Sequence, residues 1–126
     1  MPPIRILVVD DSPTFLSSLA QLLASLEEFE VVGTALSASG AIEQIAQSHP
    51  DLVLMDMVMP DMNGLEATRL VKAEPDAPRV IICTLYATTQ YEEAAKAAGA
   101  DGFLPKSALS KKLLHVAQSF LKLYEG

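Results

Sequence analysis

The 126-residue chain contains a single cysteine, Cys83, so no disulfide can form within it. An unpaired thiol in an apolar run is typical of a reducing compartment, and we expect a cytoplasmic location. No apolar run approaches the ~18 residues of a membrane-spanning helix, and residues 1–5 lack the pattern of a secretory signal peptide. The sequence therefore predicts neither a disulfide scaffold nor a membrane protein.

Basic residues are also scarce. The chain has nine Lys and Arg residues and sixteen Asp and Glu residues, which gives it a net charge of −7. A nucleic acid backbone would be repelled by such a surface, so direct nucleic acid binding is not expected. Half of the residues are hydrophobic and 20% are charged, which excludes a disordered chain and favours one domain over residues 1–126.

Short apolar runs alternate with helical patterns along the chain. Strands are predicted at Ile4–Val9, 30–33, 52–55, 80–83 and 102–104. Three of these runs are almost continuously apolar, which is typical of parallel strands covered on both faces. We therefore predict a doubly wound (βα)5, flavodoxin-like α/β sandwich of three layers. Its expected strand order is 2-1-3-4-5, with the ligand crevice outside the carboxyl ends of strands 1 and 3.

Local signals set the predicted helix boundaries. Ser12 and Pro13 suit the cap and first position of helix 1. His49 should end helix 2 because it precedes a proline, and Gly99 suits a left-handed stop after helix 4, whose apolar face begins at Tyr91. An apolar stripe over residues 113–124 predicts a fifth helix.

Polar side chains follow four strands that are neighbours in this order. Asp10 and Asp11 follow strand 1, Asp56 follows strand 3, Thr84 ends strand 4 and Lys106 follows strand 5. Each has an ordinary alternative: the Asp pair could form a turn, Thr84 could be a plain strand-end hydroxyl and Lys106 a solvated surface lysine. Their joint occurrence at one edge of the sheet favours a shared site.

Three carboxylates close together require a compensating cation, because like charges raise one another's pKa. Oxygen ligands without His or Cys favour Mg²⁺ or Mn²⁺, which leaves room for a phosphate oxygen. In such a site Asp56 is placed to attack phosphorus. Lys106 would neutralise phosphoryl oxygens, and Thr84 would donate a hydrogen bond to one of them.

Three stretches and one threonine now identify a resemblance. They are Ile-Leu-Val-Val-Asp-Asp-Ser-Pro at 6–13, Leu-Val-Leu-Met-Asp-Met-Val-Met-Pro-Asp-Met-Asn-Gly at 52–64, Thr84, and Gly-Ala-Asp-Gly-Phe-Leu-Pro-Lys at 99–106. Together they strongly resemble the receiver domain of two-component response regulators, over nearly the whole chain.

The resemblance implies a phosphoacceptor that catalyses only its own phosphorylation and dephosphorylation. Asp56 would take the phosphoryl group from a histidine kinase, a phosphotransfer protein or a small phosphodonor. The metal would be held by Asp11, Asp56 and the backbone carbonyl of Val58, with Asp10 acting through the metal's waters.

The resemblance also implies a switch. Thr84 and Phe103 would move on phosphorylation and remodel the face formed by helix 4, strand 5 and helix 5, through which an output domain or a second copy would bind. Leu85 follows Thr84 where a small residue is usual, and we expect Leu85 and Tyr86 to restrict access to the site.

Three alternatives remain open at this point. One is a protein that has the receiver fold but accepts no phosphoryl group and acts as a scaffold. An aspartyl-nucleophile phosphohydrolase usually has a second acid two residues after the nucleophile, where this chain has Val58. A flavodoxin-type module needs a phosphate loop after strand 1, where this chain is acidic.

Overall fold

A computed structural model describes residues 2–109, 111, 112 and 115. The strands are β1 (Ile4–Val9), β2 (Phe29–Ala35), β3 (Leu52–Asp56), β4 (Arg79–Thr84) and β5 (Gly102–Pro105). The helices are α1 (Pro13–Ala24), α2 (Ala38–Ser48), α3 (Gly64–Lys72) and α4 (Thr89–Ala97), with a 3-10 helix at Lys106–Ala108. All strand pairs are parallel in the order β2-β1-β3-β4-β5, which confirms the predicted doubly wound sheet.

The sheet divides the core into two layers. On one face, Ile6 and Val8 of β1 pack in a cluster with Leu19 and Leu23 of α1. On the other face, alternate residues of β1 and β3 pack in a second cluster with α2 and α3. Strands covered on both faces explain the nearly continuous apolar runs of β1, β3 and β4.

The predicted helix boundaries are largely confirmed. The Ser12 hydroxyl accepts a hydrogen bond from the Phe15 amide at 3.3 Å, and Pro13 is the first residue of α1. His49 ends α2 in the left-handed region with φ 48°, and Gly99 follows α4 with φ 96°. Tyr91 was predicted on the apolar face of α4, but it is 41% exposed.

β1 has the predicted bounds, and the other four strands are longer than their predicted apolar runs. β2 extends beyond the predicted 30–33 to Phe29–Ala35, because an edge strand keeps polar residues such as Glu30 and Thr34 while its backbone still pairs with β1. β3 includes Asp56, whose backbone pairs with that of Cys83. The predicted fifth helix falls mostly outside the described residues. In the described part of the chain, no helix is long and apolar enough to cross a membrane.

Candidate functional site

Three aspartates meet at the carboxyl ends of β1 and β3. Asp10 and Asp56 are buried, with 1% and 6% of their surface exposed, whereas Asp11 is exposed. Each carboxylate offers an oxygen within 4.8 Å of the others. The topology brings them together because β1 and β3 are adjacent and parallel, so their ends lie at the same edge.

Lys106 provides the positive charge nearest to these carboxylates among the described residues. Its Nζ lies 2.6 Å from Asp10 Oδ2 and 3.3 Å from Asp56 Oδ1. The same ammonium lies 4.6 Å from the centroid of the Phe15 ring on α1. Lys106 therefore compensates two of the three carboxylates, and the third, Asp11, faces solvent.

Burial and charge shift the pKa values of the site. Burial, followed by the negative charge of Asp10, raises the pKa of Asp56 from 3.8 to about 6, against the opposing effect of Lys106. Burial alone would lower the pKa of Lys106, but its hydrogen bond to Asp10 and the charge of Asp56 outweigh burial and raise it. Burial also raises the pKa of the Cys83 thiol to about 12, so this cysteine is a core residue rather than a nucleophile.

The loop after β3 is fixed close to the aspartates. The Gly64 amide donates to the Met57 carbonyl at 2.7 Å, and the Met57 amide donates to the Cys83 carbonyl at 3.2 Å. A Cβ at Gly64 would overlap the backbone carbonyl oxygen of Asp56, so only glycine allows this close approach. Val58 lies within this loop with an exposed side chain.

The donor set fits a hard divalent cation. Three carboxylates within 4.8 Å offer oxygen ligands, which Mg²⁺ and Mn²⁺ prefer. The burial of Asp10 and Asp56 beside one lysine leaves uncompensated negative charge, which a cation would neutralise.

The structure places the other predicted residues on β4, on β5 and in the loop that follows β4. Thr84 is buried, and its hydroxyl oxygen accepts a hydrogen bond from the Tyr86 amide at 3.1 Å. Phe103 is partly buried and packs against the core cluster on the α2 and α3 side. Leu85 and Tyr86 are 72% and 67% exposed, so neither fills space beneath α4.

Two contacts escaped the sequence interpretation. The Asp61 carboxylate accepts hydrogen bonds from the Ala38 amide at 3.1 Å and the Ser39 amide at 2.9 Å, at the start of α2. These bonds lower the pKa of Asp61 to about 2. In the sequence, Asp61 has the pattern of an ordinary turn residue. The second contact is Phe15 with Lys106, which joins residues far apart in the chain.

The fold and the site together define an α/β domain in which a lysine and three aspartates that could hold a cation meet at one sheet edge. The chain belongs to the response regulator receiver domain family, whose model matches residues 6–118. The predicted family and fold are therefore confirmed, and the chain is a receiver domain of the two-component type.

Similar proteins come from several kinds of regulator. The chain is 40% identical over 114 residues to a protein-glutamate methylesterase/protein-glutamine glutaminase of Nocardioides sp., covering 86% of this chain and 30% of that protein. It is 33% identical over 116 residues to the transcriptional regulatory protein DegU of Brevibacillus brevis, covering 91% and 49%. The response regulator domain of Thermotoga maritima CheB superposes with a TM-score of 0.85 at 27% identity, covering 95% and 97%.

This chain thus spans half or less of either curated relative. One of them is a methylesterase and the other a transcriptional regulator. A transcriptional regulator among the relatives is at odds with the expectation that the protein does not bind nucleic acid directly. The charge argument for that expectation applies to the surface of these residues and does not extend to a longer protein.

Proposed function

We propose that Asp56 accepts a phosphoryl group from a histidine kinase, a phosphotransfer protein or a small phosphodonor, in a reaction that requires Mg²⁺ or Mn²⁺. One observation carries the proposal: Asp56 ends the central strand β3, is buried, contacts Lys106 and lies within 4.8 Å of two further carboxylates. Residues 1–126 would form one receiver domain, and its single unpaired cysteine suits a cytoplasmic protein.

Hydrogen bonding favours Asp56 over Asp10 as the acceptor. Asp10 uses both carboxylate oxygens, one for the Ser12 amide at 2.9 Å and the other for Lys106. Asp56 contacts Lys106 through Oδ1, and among the described residues no donor bonds to its Oδ2. A carboxylate oxygen that accepts no hydrogen bond attacks phosphorus without first breaking one.

In the transfer, a new bond joins an Asp56 carboxylate oxygen to phosphorus. The bond between phosphorus and the donor's nitrogen or oxygen breaks, and the electron pair leaves with the donor atom. In the separate hydrolysis step, the oxygen of a water molecule bonds to phosphorus and the bond between phosphorus and the Asp56 oxygen breaks. The electron pair of that bond stays with Asp56, which returns as a carboxylate, and the water's protons leave with inorganic phosphate and solvent. The domain would therefore act on its own acyl phosphate and not on a separate substrate.

The remaining site residues would position the charges. Asp11, Asp56 and the backbone carbonyl of Val58 would hold the cation, with Asp10 acting through its waters. Bound Mg²⁺ or Mn²⁺ supplies neutralisation of the phosphoryl oxygens. Lys106 would compensate another of these oxygens, since phosphoryl transfer depends mainly on positioning and charge neutralisation.

The output would pass through Thr84 and Phe103. The Thr84 hydroxyl keeps its hydrogen available for a phosphoryl oxygen while its oxygen accepts from the Tyr86 amide. Movement of Thr84 and Phe103 would remodel the face of α4, β5 and the predicted fifth helix. An output domain or a second copy of the chain is the partner that we propose for this face.

Intact mass measurement tests the assignment. With acetyl phosphate and Mg²⁺ the chain should gain ~80 Da, the mass of one phosphoryl group. Asp56→Asn should abolish this gain, whereas Asp76→Asn, an exposed residue outside the site, should leave it unchanged. Undiminished labelling of Asp56→Asn would show that the phosphoacceptor is another residue.

A further inference from the structure

The ring of Phe15 covers one side of the Lys106 ammonium. The Nζ lies 4.6 Å from the ring centroid, inside the ~6 Å range of a cation–π contact. The Lys106 side chain is 11% exposed, so water screens this contact only weakly. Phe15 lies in the first turn of α1 and packs against the core cluster of that face.

Lys106 therefore has three partners: two carboxylates and one aromatic ring. Asp10 and Asp56 hold the ammonium through their oxygens, at 2.6 Å and 3.3 Å. The ring attracts it through the negative charge density of the π face, which does not depend on any carboxylate oxygen.

These partners respond differently to the proposed reaction. Binding of a divalent cation and formation of a bond to phosphorus both engage carboxylate oxygens of the site, so the attraction of Asp10 and Asp56 for Lys106 weakens. The Phe15 ring is fixed to α1 and keeps its position. Resting on the proposed function, we propose that Phe15 is a positioning residue, which holds the Lys106 ammonium over the site while the carboxylates exchange partners.

An aliphatic residue would not replace the ring. Leucine at position 15 would fill much of the same space in the core, but it has no π face to attract the ammonium. Lysine has several rotatable bonds, and an ammonium without this contact would leave the site for water more often. Residue 15 therefore contributes to phosphoryl transfer through its aromatic ring and not only through the volume that it fills.

A graded series separates the two roles of the ring. Phe15 is replaced by mono-, di- and trifluorophenylalanine, which progressively weaken the π face at nearly constant size, and by Tyr and Leu. The initial rate of labelling by acetyl phosphate is measured at saturating Mg²⁺. We expect Phe15→Tyr to label at close to the wild-type rate, Phe15→Leu to label about 3- to 10-fold more slowly, and the fluorinated variants to fall between them in order of fluorination.

A second measurement reports the contact without any phosphodonor. In NMR spectra of the metal-free protein, the ring current of Phe15 should shift the Lys106 ε-methylene resonance upfield, and Phe15→Leu should remove that shift. Phe29→Leu provides the matched control, because Phe29 is a buried aromatic of the same core cluster. Phe29→Leu should lower the melting temperature but leave both the labelling rate and the Lys106 resonance unchanged.

Equal labelling rates across the fluorinated series and Phe15→Leu would overturn the inference, and so would an unshifted Lys106 resonance in the wild type. If those rates are equal while Asp56→Asn still abolishes labelling, the inference fails and the proposed function stands. If the wild type takes no label at all, the proposed function fails and the role of Phe15 fails with it.

Discussion

Neutralising Asp56 should make the metal-free fold more stable at neutral pH. Asp56 is buried beside the negative charge of Asp10, and together these raise its pKa from 3.8 to about 6. A raised carboxyl pKa means that the folded state favours the protonated form. The charged form therefore destabilises the fold, and Asp56→Asn removes that charge at nearly constant volume.

The shift sets the size of the effect. About two pKa units at ~1.4 kcal/mol each correspond to about 3 kcal/mol of lost stability when Asp56 is fully charged. This net shift already includes the attraction of Lys106 for Asp56, and in the Asn variant Lys106 keeps its closer contact with Asp10. We therefore expect a gain of about 2 to 3 kcal/mol at pH 8, or roughly 6 to 12 °C in melting temperature.

The pH dependence of this gain identifies its cause. The destabilisation by Asp56 is absent below the unfolded pKa of 3.8, grows as the pH rises toward about 6, and is complete above that value. Urea unfolding in EDTA at pH 8 and pH 5 measures it, and the difference between Asp56→Asn and wild type should shrink by about half at pH 5. A variant that is less stable than wild type at pH 8, or a gain that is the same at both values, would refute the reasoning. Asp76→Asn is the exposed control.

Three further predictions concern neighbouring residues. Asp11→Ala should weaken Mn²⁺ binding, followed by electron paramagnetic resonance, by about tenfold or more, because it removes a carboxylate from the cluster; unchanged affinity would exclude Asp11 as a ligand. Asp61→Ala should lower the melting temperature by removing two hydrogen bonds to the start of α2, and its difference from wild type should fade as the pH falls from about 4 to about 2, where Asp61 protonates in the wild type. Leu85→Ala should shorten the acyl phosphate lifetime ~3- to 10-fold if Leu85 obstructs the attacking water. Its melting temperature should barely change, since Leu85 is 72% exposed; an unchanged lifetime would remove Leu85 from the mechanism.

Much of the fold could be predicted because its signals are local. The apolar runs of β1, β3 and β4 record burial on both faces, and Ser12 and His49 mark helix ends through the conformations of single residues. The length of β2 was underestimated because an edge strand is held by backbone pairing, which leaves no apolar run in the sequence. The burial of Tyr91 was predicted wrongly. Helical spacing shows which side chains share a face of α4, but it does not show whether the rest of the protein covers the first turn of that face.

The cluster of site residues was predictable for a different reason. Once the strand order is known, the ends of β1, β3, β4 and β5 must lie at one edge, so Asp10, Asp56 and Lys106 have to be neighbours. The contacts of Asp61 with α2 and of Phe15 with Lys106 could not be derived in this way. They depend on side-chain rotamers and on the relative placement of a loop or helix and a strand, which neither periodicity nor spacing specifies.

The charges of the site also determine how its residues depend on one another. Three ionised carboxylates and one ammonium leave two net negative charges at the sheet edge, and a divalent cation would bring that sum to zero. An acyl phosphate on Asp56 replaces a single negative charge by up to two, so the site becomes more negative again as the oxygens of Asp56 change partners. At that stage the Lys106 ammonium is the protein group that compensates the added negative charge. It does so only while it remains close to the phosphoryl oxygens. A contact that holds this ammonium without using a carboxylate oxygen matters most at that stage, and the Phe15 ring is such a contact.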